Sequence, residues 1–167
     1  GFGKTHALLE AHHHLGCPVD VYITYNAGQD LVHDKVAPGV AILLRILLRL
    51  VGVSNVECPK VFTRYKGLLD IDETDLMEYI CSVVQGLVRD LPSADKKVFV
   101  GIDEVGLLMR GGDDKVLLCT SAVGNLVVAL QHVGIVATVL VSALTTATFK
   151  TISSRVIQPV LLPVPDT

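Results

Sequence analysis

The first six residues constrain the fold of this chain more than any other stretch. They are Gly1, Phe2, Gly3, Lys4, Thr5 and His6. Gly3, Lys4 and Thr5 match the end of the pattern G-x-x-x-x-G-K-[ST]. In that pattern, backbone N–H groups surround phosphate oxygens at the start of a helix. In that pattern the lysine meets the β- and γ-phosphates and the threonine hydroxyl binds Mg²⁺. The pattern predicts a nucleotide-binding loop, with a turn that caps a helix as the simpler alternative.

A second motif near the middle of the chain favours the nucleotide interpretation. Residues 98–103 form a short apolar run that ends in Asp103, and Glu104 follows directly. This is the form of a Walker B element, in which the aspartate holds Mg²⁺ through water and the next carboxylate polarises the attacking water. The alternative is a solvated strand end. The two motifs together predict Lys4 and Glu104 as catalytic residues, and Thr5 and Asp103 as metal ligands.

Polar residues near the end of the chain are further candidates. Ser142, Thr145 and Thr146 follow or end an apolar run, where a sensor residue would contact the γ-phosphate or the attacking water. Arg155 stands just before the last apolar run, in the place of an arginine finger that stabilises charge in the transition state. The alternatives are ordinary strand-end hydroxyls and a surface arginine.

The arrangement of apolar segments predicts an α/β fold. Half of the 167 residues are hydrophobic, which suits a buried parallel sheet. Strands are predicted at residues 19–25, 98–103, 135–142 and 156–162, and helices at 4–15, 40–50, 74–91 and 116–132. Residues 52–72 are predicted to form a loop. The alternation of helices and strands predicts one domain with a parallel sheet, spanning residues 1–167.

Charge and cysteine content exclude several classes of function. The net charge of −3 gives no sign of a nucleic-acid surface. The four cysteines are scattered, which predicts reduced thiols in an intracellular protein of unspecified compartment. The apolar run at residues 40–51 is too short for a membrane span and contains Arg45 and Arg49. We interpret it as an amphipathic core helix with these arginines on a solvated edge; a membrane-surface helix is the alternative.

Four segments together carry a resemblance to a known family. Gly3-Lys4-Thr5, residues 21–26, residues 41–47 and residues 101–104 resemble the P-loop ATPase domain of Crinkler-type effectors and of trypanosomatid retrotransposon hot spot proteins. More broadly, the chain resembles AAA-like ATPases of the additional-strand, catalytic-glutamate division. The resemblance implies a three-layer α/β fold with the sheet order 5-1-4-3-2, Mg-ATP as the ligand, and a separate domain for targeting or effector action. The implied first strand is missing, so we interpret the chain as a fragment truncated within the Walker A loop.

Two classes of function follow from these motifs. The first is Mg-dependent ATP hydrolysis, which Glu104 favours. The second is a nucleotide-dependent switch or interaction module with little or no turnover. A nucleotide kinase is a more distant third. The nucleotide is the expected partner, and self-association or a partner protein stays open.

Overall fold

The computed structural model describes residues 4–26, 30–111 and 113–142, in which helices alternate with the strands of a parallel sheet. The helices are α1 (Lys4–Leu15), α2 (Val32–Val36), α3 (Pro38–Leu50), α4 (Cys58–Arg64), α5 (Glu73–Leu87) and α6 (Asp113–His132). The strands are β1 (Val19–Thr24), β2 (Lys97–Asp103) and β3 (Val136–Val141). Short 3-10 turns lie at Lys66–Asp70, Ser93–Asp95 and Val105–Gly111.

The described strands form one sheet in the order β1-β2-β3, and both pairs are parallel. Val19 lies opposite Val98, and Lys97 lies opposite Val136. The predicted parallel sheet is confirmed for these three strands, and the strand that ends in Asp103 lies in the centre of the three. Parallel neighbours need long connections, and the helices between these strands supply them. The strand predicted at residues 156–162 lies outside the described residues.

Helices cover both faces of this sheet. Alternate residues of β2 point to opposite sides: Val98, Val100 and Ile102 join the main core, whereas Phe99 packs with Leu8 of α1. Helices α3 and α6 pack on the main-core side, and α5 packs against both of them. The described part of the chain is therefore α/β, with Asp103 on the same side of β2 as Phe99, facing the α1 layer.

Local signals explain where several helices begin and end. α1 ends at Gly16, whose φ of 64° is the left-handed conformation that glycine adopts at low cost. α5 is capped by Asp72, whose Oδ1 accepts a 2.8 Å hydrogen bond from the backbone N–H of Thr74. Pro38 stands at the start of α3, where the missing N–H costs no helical hydrogen bond.

The loop predicted for residues 52–72 is wrong, because this segment contains α4 and a 3-10 turn. Pro59 lies in the first turn of α4, where proline is well tolerated. Cys58 and Phe62 are fully buried and anchor the helix in the core. The short helix α2 was not predicted either, and α5 ends at Leu87 rather than at residue 91.

The prediction that Arg45 lies on a solvated edge is also wrong. Its guanidinium is buried and meets the buried carboxylate of Asp34, with Nε–Oδ1 at 2.6 Å and Nη2–Oδ2 at 2.9 Å. The rings of Tyr25 and Phe62 lie 5.2 and 5.6 Å from the guanidinium carbon, a favourable cation–π distance. Nη1 has no hydrogen-bond partner among the described residues. The ion pair fixes α2 against α3.

Two further buried groups extend this polar cluster. The hydroxyl of Tyr25 lies 3.7 Å from the sulfur of Cys119 on α6. Burial raises the pKa of Cys119 to about 12 and raises the pKa of Tyr25 well above its ordinary value. Both groups therefore remain neutral at physiological pH, and Arg45 keeps its positive charge beside Asp34.

Side chains occupy the outer edge of β1. Nδ2 of Asn55 donates to the carbonyl of Tyr22 at 3.1 Å, and Oδ1 of Asn55 accepts from the backbone N–H of Thr24 at 3.3 Å. Nε of Arg49 donates to the same carbonyl of Tyr22 at 3.1 Å. Arg49 is therefore half-buried and bonded to the backbone, in contrast to its predicted position on a solvated edge.

Among the described helices, α6 has the length and hydropathy of a membrane span over residues 114–132. Its buried residues recur at helical spacing on one side: Val116, Cys119, Ala122, Val123, Leu126 and Leu130. That side packs against α3 and belongs to the main core. One side of α6 therefore faces the core, and about a third of the residues in its apolar window (33%) are buried within the domain.

Candidate functional site

The candidate site lies at the carboxyl edge of the sheet, where β2 ends and α1 begins. Asp103 is the last residue of β2 and is only 3% exposed. Thr5, in the first turn of α1, donates a hydrogen bond from Oγ1 to Oδ2 of Asp103 at 2.8 Å. The two residues are 98 positions apart in the sequence. The fold therefore brings the second residue of the predicted phosphate-loop helix into contact with the end of the central strand, the edge at which open α/β sheets bind ligands.

The carboxylate of Asp103 accepts hydrogen bonds from three hydroxyl groups. Thr5 and the hydroxyl of Tyr22 both donate to Oδ2, the latter at 2.9 Å. Oγ of Ser142 donates to Oδ1 at 2.5 Å. A carboxylate has about four acceptor positions, so these donors fill three of them. The side chain is thus held from α1, β1 and the residue that follows β3.

Glu104 stands in a strained turn directly after Asp103. Its φ is 56°, in the left-handed region that residues other than glycine rarely adopt. Its backbone N–H donates to Oγ of Ser142 at 3.0 Å, and its carbonyl accepts from the N–H of Leu107 at 3.0 Å. The half-buried side chain of Glu104 makes no hydrogen bond or ion pair within the described part of the chain. Strain of this kind persists where the surroundings fix the backbone, and it is frequent at functional sites.

Tyr22 is a site residue that the sequence did not reveal. It pairs with Gly101 in the sheet, two residues before Asp103, and a Cβ on Gly101 would lie 3.6 Å from its ring. That is an ordinary contact distance, whereas the same Cβ would lie 3.1 Å from the ring of Phe99, so the glycine chiefly leaves room for Phe99. Burial and the hydrogen bond to Asp103 raise the pKa of Tyr22 to about 12, although an interaction with the Thr24 side chain lowers it slightly. Tyr22 is therefore a permanent hydrogen-bond donor to Asp103.

Some of the remaining predicted site residues lie within the described part of the chain, and the others lie outside it. Lys4 is the first residue of α1, and His6 is exposed in the same turn. Ser142 is buried and bonded to Asp103, so its single proton is already donated within the protein. The other predicted site residues lie outside the described ones: Gly1, Phe2, Gly3, Thr145, Thr146 and Arg155.

The oxygen groups at this edge suit a hard divalent cation. Mg²⁺ prefers oxygen ligands and in phosphate sites uses one or two protein side chains, with phosphates and water completing its coordination. The Thr5 hydroxyl and the Asp103 carboxylate meet that requirement. The described residues contain no cluster of three or more His, Cys, Asp and Glu side chains that would form an all-protein metal site. The hydroxyl of Thr5 and the carboxylate of Asp103 are thus of the ligand type that Mg²⁺ accepts.

An open groove of about 380 Å³ lies elsewhere, near the end of α1. It is lined by His12, His13, Gly16, Cys17, Pro18, Leu91 and Asp95. These residues lie near the amino ends of the strands, and none of the hydrogen bonds to Asp103 involves them. The groove is therefore separate from the candidate site.

Comparisons of the chain with family models, with curated proteins and with solved structures found no match.

Proposed function

We propose that this protein binds Mg-ATP at the carboxyl edge of its sheet and hydrolyses it. The observation that carries the proposal is the 2.8 Å hydrogen bond between Thr5 and Asp103. In the G-K-T pattern the threonine hydroxyl is a magnesium ligand, and an aspartate at the end of a strand completes the site. A chance G-K-T sequence at a helix start has no reason to contact the aspartate of a second, distant motif.

The strand order supports a P-loop type of fold. The described order β1-β2-β3 corresponds to strands 2, 3 and 4 of the order 5-1-4-3-2. In that arrangement the strand before the phosphate loop would lie beside β3. We infer that the domain is a three-layer P-loop NTPase of the AAA-like type.

Each proposed residue has a distinct task. Lys4 would contact the phosphates, and the amino end of α1 would face them with its positive dipole. Thr5 and Asp103 would hold Mg²⁺, which neutralises phosphate charge when it is bound. Glu104 would accept a proton from the attacking water. Its strained turn, tied to Ser142 by a 3.0 Å hydrogen bond, holds its backbone in place for that task.

Variants of the intact protein test these tasks separately. Lys4→Ala is expected to weaken ATP binding about 10- to 100-fold, because it removes a charged hydrogen-bond donor. Glu104→Gln is expected to leave ATP affinity unchanged and to slow hydrolysis by about 10²- to 10⁴-fold, because it removes only the general base. Calorimetric titration with ATP and a phosphate-release assay measure the two effects. Glu10→Gln, an exposed substitution on α1, is the matched control.

The outcomes separate the two candidate functions. Binding of Mg-ATP without phosphate release by the wild type would replace hydrolysis with the nucleotide-dependent switch. Equal loss of ATP affinity in Glu104→Gln and Lys4→Ala would show that the proposed roles are wrong. Absence of ATP binding in the wild type would overturn both functions.

A further inference from the structure

We propose that Tyr22 is a positioning residue that makes this site selective for Mg²⁺ over Ca²⁺. The inference rests on the proposed function, because it concerns the metal that would accompany the nucleotide. It starts from the two hydrogen bonds that converge on one oxygen of Asp103. Oδ2 accepts from Thr5 at 2.8 Å and from Tyr22 at 2.9 Å.

The acceptor positions of Asp103 limit how it can meet a metal. Each carboxylate oxygen offers two lone pairs, so Thr5 and Tyr22 together saturate Oδ2. Ser142 occupies one of the two positions on Oδ1. One acceptor position therefore remains, on Oδ1. It is enough to accept a hydrogen bond from a metal-bound water but excludes chelation of a metal by both oxygens.

Mg²⁺ and Ca²⁺ differ in how they coordinate a carboxylate. Mg²⁺ keeps several of its waters and is satisfied by a carboxylate that binds those waters. Ca²⁺ takes six to eight oxygen ligands and readily binds carboxylates directly, often through both oxygens. A carboxylate with Oδ2 saturated suits the first cation and is a poor ligand for the second. Tyr22 contributes half of that saturation through its 2.9 Å hydrogen bond.

The position of Tyr22 makes this role independent of the phosphate loop. Its ring is held in β1, opposite Gly101, whereas Thr5 belongs to α1. Thr5 can offer a lone pair of Oγ1 to a metal while its proton stays on Oδ2 of Asp103, and Tyr22 remains bonded to the same oxygen from the neighbouring strand. The restraint on the carboxylate therefore persists while the nucleotide binds.

The test is the affinity of the intact protein for ADP, measured by calorimetry in excess Mg²⁺ and in excess Ca²⁺. Tyr22→Phe removes only the hydroxyl, and we expect the ratio of the two affinities to shift toward Ca²⁺ by about 10-fold or more, the scale of changes in residues that orient metal ligands. Tyr22→Leu, a second side chain without a hydroxyl, is expected to shift the ratio in the same direction.

Tyr25→Phe is the matched control, since the hydroxyl it removes contacts Cys119 and not the carboxylate of Asp103, while the backbone N–H of Tyr25 keeps its 3.2 Å hydrogen bond to the Asp103 carbonyl. Its ratio is expected to equal that of the wild type. An unchanged ratio in both Tyr22 variants, with Mg-ADP still bound by the wild type, would overturn the inference and leave the proposed function intact. Failure of the wild type to bind ADP with either cation would overturn both.

Discussion

Oγ of Ser142 lies 2.5 Å from Oδ1 of Asp103 and thereby joins the end of β3 to the end of β2. Oγ of Ser142 also accepts a hydrogen bond from the backbone N–H of Glu104 at 3.0 Å. One buried hydroxyl therefore restrains both acidic residues of the candidate site. A single side chain therefore acts on both the Asp103 carboxylate and the strained turn at Glu104.

Ser142→Ala is expected to lower the free energy of unfolding by about 1–3 kcal/mol. It removes a donor to a carboxylate and leaves the N–H of Glu104 without its acceptor. Urea denaturation of the wild type and the variant measures the difference. Ser142→Thr keeps the hydroxyl and is the control. Equal stability of wild type and Ser142→Ala would show that these hydrogen bonds do not restrain the site.

Substitutions at Glu104 test the cost of its backbone conformation. Glu104→Val is expected to be less stable than Glu104→Gly by about 1–2 kcal/mol, because a β-branched side chain is strained at a φ of 56° and glycine is not. Chemical denaturation gives the order. Glu78, exposed within α5, provides the control. There valine is expected to be the more stable replacement, since glycine weakens a helix. The same order at both positions would contradict the strain.

Removal of one partner of the buried Asp34–Arg45 ion pair is expected to destabilise the protein strongly. Replacement of both partners by apolar residues is expected to destabilise it much less. Arg45→Met alone leaves the carboxylate of Asp34 buried without its partner, and a loss of about 3–5 kcal/mol is expected. The double variant Asp34→Leu/Arg45→Met removes both charges and is expected to recover much of that loss. Urea denaturation of the single and double variants measures the interaction free energy between the two side chains.

An exposed pair supplies the comparison for that experiment. Nζ of Lys60 lies 2.7 Å from Oε1 of Glu57, with both side chains more than half exposed. Lys60→Met is expected to change stability by less than about 1 kcal/mol, because water screens exposed pairs. Similar losses for Lys60→Met and Arg45→Met would mean that burial does not govern these interactions.

Stability is expected to fall at alkaline pH, in part through Cys119. Burial raises the pKa of this thiol from 9.0 to about 12 in the folded protein. Below pH 9 the thiol is neutral in both states and its contribution is complete. Between these pKa values the unfolded state loses the proton first, so stability falls as the pH rises, by up to about 1.4 kcal/mol per pH unit.

Urea denaturation at pH 8 and pH 10.5 measures this loss. Cys119→Ala removes the ionising group and is expected to reduce the pH dependence, while Tyr25 and other groups still contribute to the rest. The same fall in the wild type and in Cys119→Ala would show that Cys119 ionises as easily in the folded protein as in the unfolded one.

The sequence predicted those features that depend on apolar runs and on topology. Two continuous apolar runs, at residues 98–103 and 135–142, and a segment rich in β-branched and aromatic residues at 19–25 predicted the three strands that the structure describes. Parallel strands direct their carboxyl ends to one edge, which is why Thr5 and Asp103 were expected to lie close together. The structure brings these two into contact. Their function as metal ligands stays a prediction.

Other features depended on information that no local pattern contains. The contact of Tyr22 with Asp103 follows from the register of β1 against β2, in which Tyr22 lies opposite Gly101. The burial of Arg45 depends on Asp34, which lies in a helix too short to show a periodicity. Helical spacing alone shows which residues share a face of a helix, and it does not show which polar residue will meet them.

The side-chain amide of Asn55 makes hydrogen bonds to the backbone along the outer edge of β1. Its nitrogen and oxygen satisfy the outward carbonyl of Tyr22 and the outward N–H of Thr24, as an adjacent strand would. An incoming peptide therefore finds these two positions already taken and cannot continue the ladder there. Lateral growth of the described sheet, including growth into intermolecular β-structure, is disfavoured on the β1 side near the candidate site. On the opposite side, no side chain of the described residues makes a hydrogen bond of this kind to the outer backbone groups of β3.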